Sequence, residues 1–197
     1  MRYLRGTVDT CITFGGSSFN DPNHEHAFPP EHDPRSKENM HLRLFGFSDS
    51  NWAGDLDKRR STSGHIFSKN GGPISWKSKM QTCIAQSSAE AEHIAASEAS
   101  KEAVWLRTLL ASVTCKPFIE PTLIKVDNQA AISIINNPVC SSKTKHIEMR
   151  YHYVRHLKSR GIIDVTHVPT KHNVSDILTK PLAKMTHNFL RDICMAP

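Results

Sequence analysis

Residues 43–79 read RLFGFSDSNWAGDLDKRRSTSGHIFSKNGGPISWKSK, and this stretch decides the fold. RLFGFSD (43–49) is apolar and aromatic, as a strand requires. HIFSKN (65–70) and PISWKSK (73–79) flank Asn70-Gly71-Gly72, residues that suit a tight hairpin turn. The polar segment 54–64 joins the first strand to that hairpin. Three antiparallel strands are therefore expected before any helix.

Downstream the pattern changes from strands to alternation. Residues 88–113 carry Ala91, Ala95, Ala99, Ala103, Leu106 and Leu110 in steps of four, four, four, three and four, which is one helix stripe. Its first half is built of small residues, so the helix is expected to lie close against the sheet. Ser87 and Glu90 form a capping-box pattern at its start. TLIKVD (122–127) reads as a strand and NQAAISIIN (128–136) as a short helix stopped near Pro138. Residues 143–159 read as a basic helix ended by Gly161, and IIDVTHV (162–168) as a fifth strand. Another helix is expected at 173–180, interrupted by Pro181, with helix continuing over 182–194. The order β-β-β-α-β-α-α-β-α predicts an α/β fold with a mixed five-stranded sheet flanked by helices.

The composition excludes several classes. The 197 residues are 38% hydrophobic and 22% charged, enough apolar content for one core and close to the globular norm. No apolar run approaches the ~20 residues of a membrane span, so no membrane partner is expected. MRYLRGTVDT at the N-terminus has no signal-peptide stretch, which points to a cytoplasmic or nuclear location. Lys and Arg number 25 against 19 Asp and Glu, a formal charge of +6 that fits a polyanionic partner without requiring one. Five widely spaced cysteines, Cys11, Cys83, Cys115, Cys140 and Cys194, form no CxxC pair and suggest neither disulfides nor zinc. Residues 17–41 are proline-rich and polar and read as a loop or linker between a short N-terminal segment (1–16) and the domain proper (42–197). His24, Glu25, His26 and His32 within that loop could bind a metal, but they read better as part of a solvated loop, because nothing around them would hold a fixed geometry.

Carboxylates recur at the ends of the expected elements. Asp49 ends the first strand, Glu92 lies in the first turns of the long helix, Asp127 ends the fourth strand and Asp176 opens the last helix. Sites in open sheets gather where strands end and the topology switches. Acidic groups brought together repel, and divalent cations remove the penalty. Mg²⁺ takes hard oxygen ligands and suits such a cluster completed by a phosphate, and two ions about 3.5–4 Å apart form the arrangement that cleaves phosphodiesters. Each acid also has a plainer reading: Asp49 as a turn residue, Asp127 as a partner of the following helix N-terminus, Asp176 as the capping partner of Asn173. Glu90 has the capping box to explain it, and Glu92 does not.

Basic residues offer a substrate surface. Lys143, Lys145, His146, Arg150, Arg155 and Lys158 lie on the expected basic helix, with Lys77 and Lys79 after the hairpin. They read either as a solvated face or as a surface for a nucleic-acid backbone. His152 and His156 stand at i, i+4, with no third metal ligand evident.

GFSDSNWAGD (46–55), STSGHIF (61–67), ISWKSKMQ (74–81), SSAEAEHIAASEA (87–99), VDNQAAI (126–132), KTKHIEMRYHYVR (143–155) and VPTKHNVSDILTKPL (168–182) follow one another in order. This series resembles the ribonuclease H domain of copia-type retrotransposon Pol polyproteins, and RYLRGT (2–7) resembles the tail of the preceding reverse transcriptase region. The resemblance implies a ribonuclease H-like fold and a two-metal site of four carboxylates, Asp49, Glu92, Asp127 and Asp176, with Glu92 rather than Glu90 as the second. It implies two Mg²⁺ ions, with Mn²⁺ as a substitute, and an RNA–DNA hybrid whose RNA strand is cut to a 3′-hydroxyl and a 5′-phosphate. It also implies the reverse transcriptase domain of the parent polyprotein as partner and a virus-like particle as setting. Asn51 stands where the family often has Asp, and neither Lys171 nor His172 aligns with the histidine that assists some cellular relatives. No YxDD polymerase motif is present, so this chain does not itself copy RNA.

Three other readings remain open on the sequence alone. An integrase or transposase would place its glutamate on a late helix, whereas here an aspartate comes last. A degenerate, fragmentary remnant would bind nucleic acid without cutting it. A domain recruited for host binding is neither supported nor excluded.

Overall fold

The computed structural model describes residues 44–70, 72–137 and 145–194, together with Cys11, Ile12 and Phe14. The expected segments 1–16 and 17–41 fall almost wholly outside the described residues, as do the His24–His32 group, Cys140 and Lys143.

The strands are β1 (Phe45–Asn51), β2 (Thr62–Lys69), β3 (Gly72–Met80), β4 (Thr122–Val126) and β5 (Ile163–His167). They form one sheet in the order β3-β2-β1-β4-β5. β1 pairs antiparallel with β2, and β2 with β3, while β1–β4 and β4–β5 are parallel. This is the expected mixed sheet. Asn70 takes the left-handed conformation the hairpin needs (φ 55°). β1 sits centrally and pairs with β4, so the ends of β1 and β4 lie side by side, with Ser48 opposite Val126.

The helices are α1 (Ser88–Thr114), α2 (Gln129–Asn136), α3 (Lys145–Ser159) and α4 (Lys184–Cys194). The alanine stripe of α1 is buried at Ala91, Ala95, Ala99 and Ala103, and the small side chains let the helix approach the sheet. Its face packs with Phe67, Ile124, Val126, Val154, Leu157 and Val165 into one core. The opposite face of the sheet buries Phe45, Phe47 and Ile66 against Val168, Val174, Leu190 and Ile193. Alternation along β1 thus sends its aromatic rings one way and Gly46, Ser48 and Ser50 the other. Gly46 is required there, because an added Cβ would stand 2.5 Å from the Phe67 ring.

Two expectations are corrected. Residues 173–180 do not open an α-helix: Thr170–His172 and Val174–Leu178 form two 3₁₀ turns, and the helix starts at Lys184, beyond Pro181. The first strand runs two residues past Asp49, because β2 continues to pair with it through Asn51 and Thr62.

Candidate metal centre

Asp49 lies on β1 opposite Gly64 and is fully buried. Asp127 directly follows β4 and is half-buried. Asp176 sits in the second 3₁₀ turn and is buried. One carboxylate oxygen from each of the three lies within 4.8 Å of the others. Parallel pairing of β1 with β4 brings the first two together, and the turn after β5 carries the third over them.

That turn is tied down by specific contacts. The Asn173 amide donates to the Ser48 carbonyl at 3.1 Å, and the Ser175 hydroxyl donates to Asn173 Oδ1 at 2.6 Å. Ser78 on β3 donates to the Leu178 carbonyl at 2.6 Å. The turn lies so close to β2 that a Cβ on Gly64 would stand 2.6 Å from the Thr179 methyl and 3.3 Å from the Ser175 carbonyl. Asn173 therefore anchors the turn to β1 and makes no side-chain cap toward Asp176. Asp127 is likewise not the cap of α2: that role falls to Asn128, which accepts from the Ala131 N–H at 3.0 Å.

Glu92 stands beside the three aspartates and outside their 4.8 Å group. Its Oε1 accepts from the Ser50 N–H at 3.0 Å and the Ser50 hydroxyl at 2.9 Å. Its Oε2 is buried without a hydrogen-bond partner. Glu90 is engaged elsewhere: its N–H donates to the Ser87 hydroxyl, and its Oε2 accepts from the Gln86 N–H at 2.7 Å. The capping box is thus displaced by one residue, since Glu90 reaches past Ser87 to the residue before it. The start of α1 is fixed by the Trp52 indole donating to the Ala85 carbonyl and by the Gln81 amide bridging Ser63 and the Ala91 carbonyl.

The electrostatics follow from crowding acids out of water. Burial, together with the charges of Asp49 and Asp127, pushes Glu92 up to about 9. Burial and the Asp49 charge push Asp176 up to about 7, against the pull of Lys180. Asp127 is raised by burial and Asp49, with a hydrogen bond from Thr170 opposing. Lys180 donates to Asp49 Oδ1 at 2.9 Å and to Asp176 Oδ1 at 3.1 Å. Burial works against its ammonium, yet the two carboxylates hold it above the ordinary lysine range. The Thr179 hydroxyl donates to Asp49 Oδ2. Sequence reading misses Lys180, Thr179 and Ser50. The i, i+4 spacing of Asp176 and Lys180 is a signal available for the first of them.

The residues fit divalent cations. The donors are all hard carboxylate oxygens, and Glu92 Oε2 is a buried acceptor that nothing in the described chain satisfies. His152 and His156 are exposed, and among the described residues no third ligand joins them.

The basic residues divide. Lys77, Lys79 and Arg150 line one pocket of about 100 Å³ with Ser63, His65, Gln81 and Glu98. Lys145 and His146 lie in the first turn of α3, and their side chains are not among those described. Arg155 and Lys158 do not belong to a free basic face. Arg155 donates to the Ile134 and Ile135 carbonyls at the end of α2 (2.8 and 3.3 Å), and Lys158 pairs with Asp164 at 2.8 Å. His172 is buried against the Phe189 ring.

A five-stranded sheet in this order, with acids gathered where its parallel strands end, defines a ribonuclease H-like protein. The structure of LC11-RNase H1 in complex with RNA/DNA hybrid superposes with a TM-score of 0.51 at 13% identity, over 70% of this chain and 94% of that one, which establishes the fold. No family model matches. The chain is 35% identical over 193 residues (98% of its length) to the retrovirus-related Pol polyprotein from transposon TNT 1-94 of Nicotiana tabacum. It is 38% identical over 168 residues (85%) to that from transposon RE2 of Arabidopsis thaliana. The chain's relatives are thus copia-type retrotransposon Pol polyproteins, and its own fold is ribonuclease H-like. The chain spans 13% and 12% of the length of these two relatives.

Proposed function

We propose that this domain hydrolyses the RNA strand of RNA–DNA hybrids in a metal-assisted reaction. The observation that carries the reading is the meeting of Asp49, Asp127 and Asp176 within 4.8 Å, next to the unsatisfied Oε2 of Glu92. These four side chains would hold two Mg²⁺ ions, or Mn²⁺ in their place. Bound there, the ions would supply an activated water and stabilise the departing 3′ oxygen, so that the phosphorus–O3′ bond breaks and leaves a 3′-hydroxyl and a 5′-phosphate. Ser50 orients Glu92 through two hydrogen bonds. Asn173 fixes the turn that carries Asp176. Lys77, Lys79 and Arg150, with Lys143, Lys145 and His146 on and before α3, would hold the sugar–phosphate backbone without reading sequence. RNA would be told from DNA by its 2′-hydroxyls. The reverse transcriptase region of a parent polyprotein would supply the hybrid, in the cytoplasm or nucleus and within a virus-like particle.

The test is a labelled RNA–DNA hybrid offered beside duplex RNA and duplex DNA, with Mg²⁺, with Mn²⁺ and with chelator. Cleavage of the RNA strand of the hybrid alone, dependent on the cation and leaving 3′-hydroxyl ends, is the expected result. Binding of hybrid without cleavage under either cation would replace this reading with that of a remnant that only binds.

A further inference from the structure

The carboxylates that would take a cation are already engaged by the chain itself. Lys180 occupies Asp49 Oδ1 and Asp176 Oδ1, and Thr179 occupies Asp49 Oδ2. The backbone makes this contact local. The N–H groups of Thr179 and Lys180 both donate to the Asp176 carbonyl, at 3.2 and 3.0 Å, so the chain curls around Asp176 and brings the lysine back over it.

Mg²⁺ needs its oxygens at about 2.0–2.1 Å in near-octahedral array, on the lone pairs the ammonium now uses. An ammonium in hydrogen-bond contact with Asp49 and Asp176 and a divalent ion bound to the same oxygens repel each other and compete for those oxygens. Asp49 cannot move aside, because its side chain is wholly buried and its backbone is paired in the central strand. Lys180 can, because its side chain is 28% exposed and rides on a flexible four-carbon stem.

We propose that Lys180 is a tethered counter-ion of the metal centre: its ammonium neutralises the metal-free carboxylates and must leave Asp49 and Asp176 for a divalent cation to enter. The inference rests on reading these carboxylates as metal ligands. It makes Lys180 a competitor for the cation. A larger cost of assembling the empty cluster follows when the lysine is removed, and so does tighter metal binding.

The probe is Mn²⁺ alone, its free concentration followed by electron paramagnetic resonance, with the intact chain and its Lys180→Met, Lys180→Arg and Asp127→Asn variants. Lys180→Met is expected to bind Mn²⁺ about tenfold more tightly, as removal of an adjacent positive charge implies, and Lys180→Arg to stay near the parent. A second measurement needs no variant. Acylation of lysines in the parent, read by mass spectrometry, is expected to modify Lys180 several-fold faster with Mn²⁺ than without, relative to the exposed Lys101. Asp127-dependent Mn²⁺ binding that Lys180→Met does not strengthen, or Lys180 acylation that Mn²⁺ leaves unchanged, would overturn the inference. Absence of Mn²⁺ binding by both parent and Lys180→Met would remove the metal centre itself, and the inference with it.

Discussion

Glu92 and Asp176 carry the clearest solution signature at the level of single residues. Both are held well above the ordinary carboxylate range, at about 9 and about 7, chiefly by burial and then by their acidic neighbours. Through these two acids the folded, metal-free protein binds more protons than the unfolded chain up to about pH 9, and their contribution to stability falls as pH rises toward that point. Buried histidines work in the opposite sense. Burial, and then the Arg155 and Arg150 charges, lower His93 to about 3, and burial lowers His65. Their stabilisation grows with pH and is complete once unfolded histidine is neutral, above about 6.5. Denaturant melts in chelator are thus expected to show stability declining between about pH 6.5 and 9, and saturating Mg²⁺ to flatten the decline by keeping the acids ionised. Stability that rises across this window in chelator would contradict the clustering of acids. The engagement of Glu90 at the start of α1 is legible in the sequence, since the Ser87 spacing points to it. The pairing of Lys180 with Asp49 is not, because the two lie far apart in the chain and meet only through the turn.

Turns and strands decide whether the third aspartate reaches the first two. Asp176 is carried by a 3₁₀ turn that fits against β2 only because position 64 has no side chain. Gly64→Ala is expected to push Thr179 and Leu178 away, costing about 1–3 kcal/mol in denaturant unfolding, the range for overpacking a tightly fitted site. Cleavage should fall by more than the stability loss explains, because Asp176 moves with the turn. A variant with parental stability and activity would show that the close approach is not needed. The three antiparallel strands and the buried face of α1 are legible because hairpin chemistry and an alanine stripe are local signals. The turn reads as helix because the sequence Asn-Val-Ser-Asp looks like a helix start. What settles the matter is tertiary: Asn173 is drawn to the Ser48 carbonyl instead of capping. Arg155 reads as part of a basic face for the same reason, since its partners are the last carbonyls of α2 rather than solvent.

The molecule as a whole presents its candidate substrate groups from different parts of the chain. Lys77 and Lys79 come from the edge strand β3 and Arg150 from α3, and all three line one pocket. Replacing them together is expected to weaken hybrid binding across unrelated sequences and to reduce the salt slope by about one for each phosphate left unneutralised. Unchanged affinity and slope would mark them as a solvated face. The segment motifs make the domain legible from the sequence, while this grouping depends on the packing of α3 across α1 and is not legible. The central claim is that Asp49, Glu92, Asp127 and Asp176 act as one metal centre, and Asp127→Asn tests it most directly. The substitution keeps the shape and one acceptor oxygen and removes the charge that holds the cation, so the loss belongs in turnover rather than in hybrid affinity. Single-turnover cleavage of a hybrid in Mg²⁺, parent beside Asp127→Asn, is expected to show a loss of roughly a thousandfold, about 4 kcal/mol in the barrier, with hybrid binding nearly unchanged. An active parent with an Asp127→Asn variant that cuts the hybrid equally fast would contradict it.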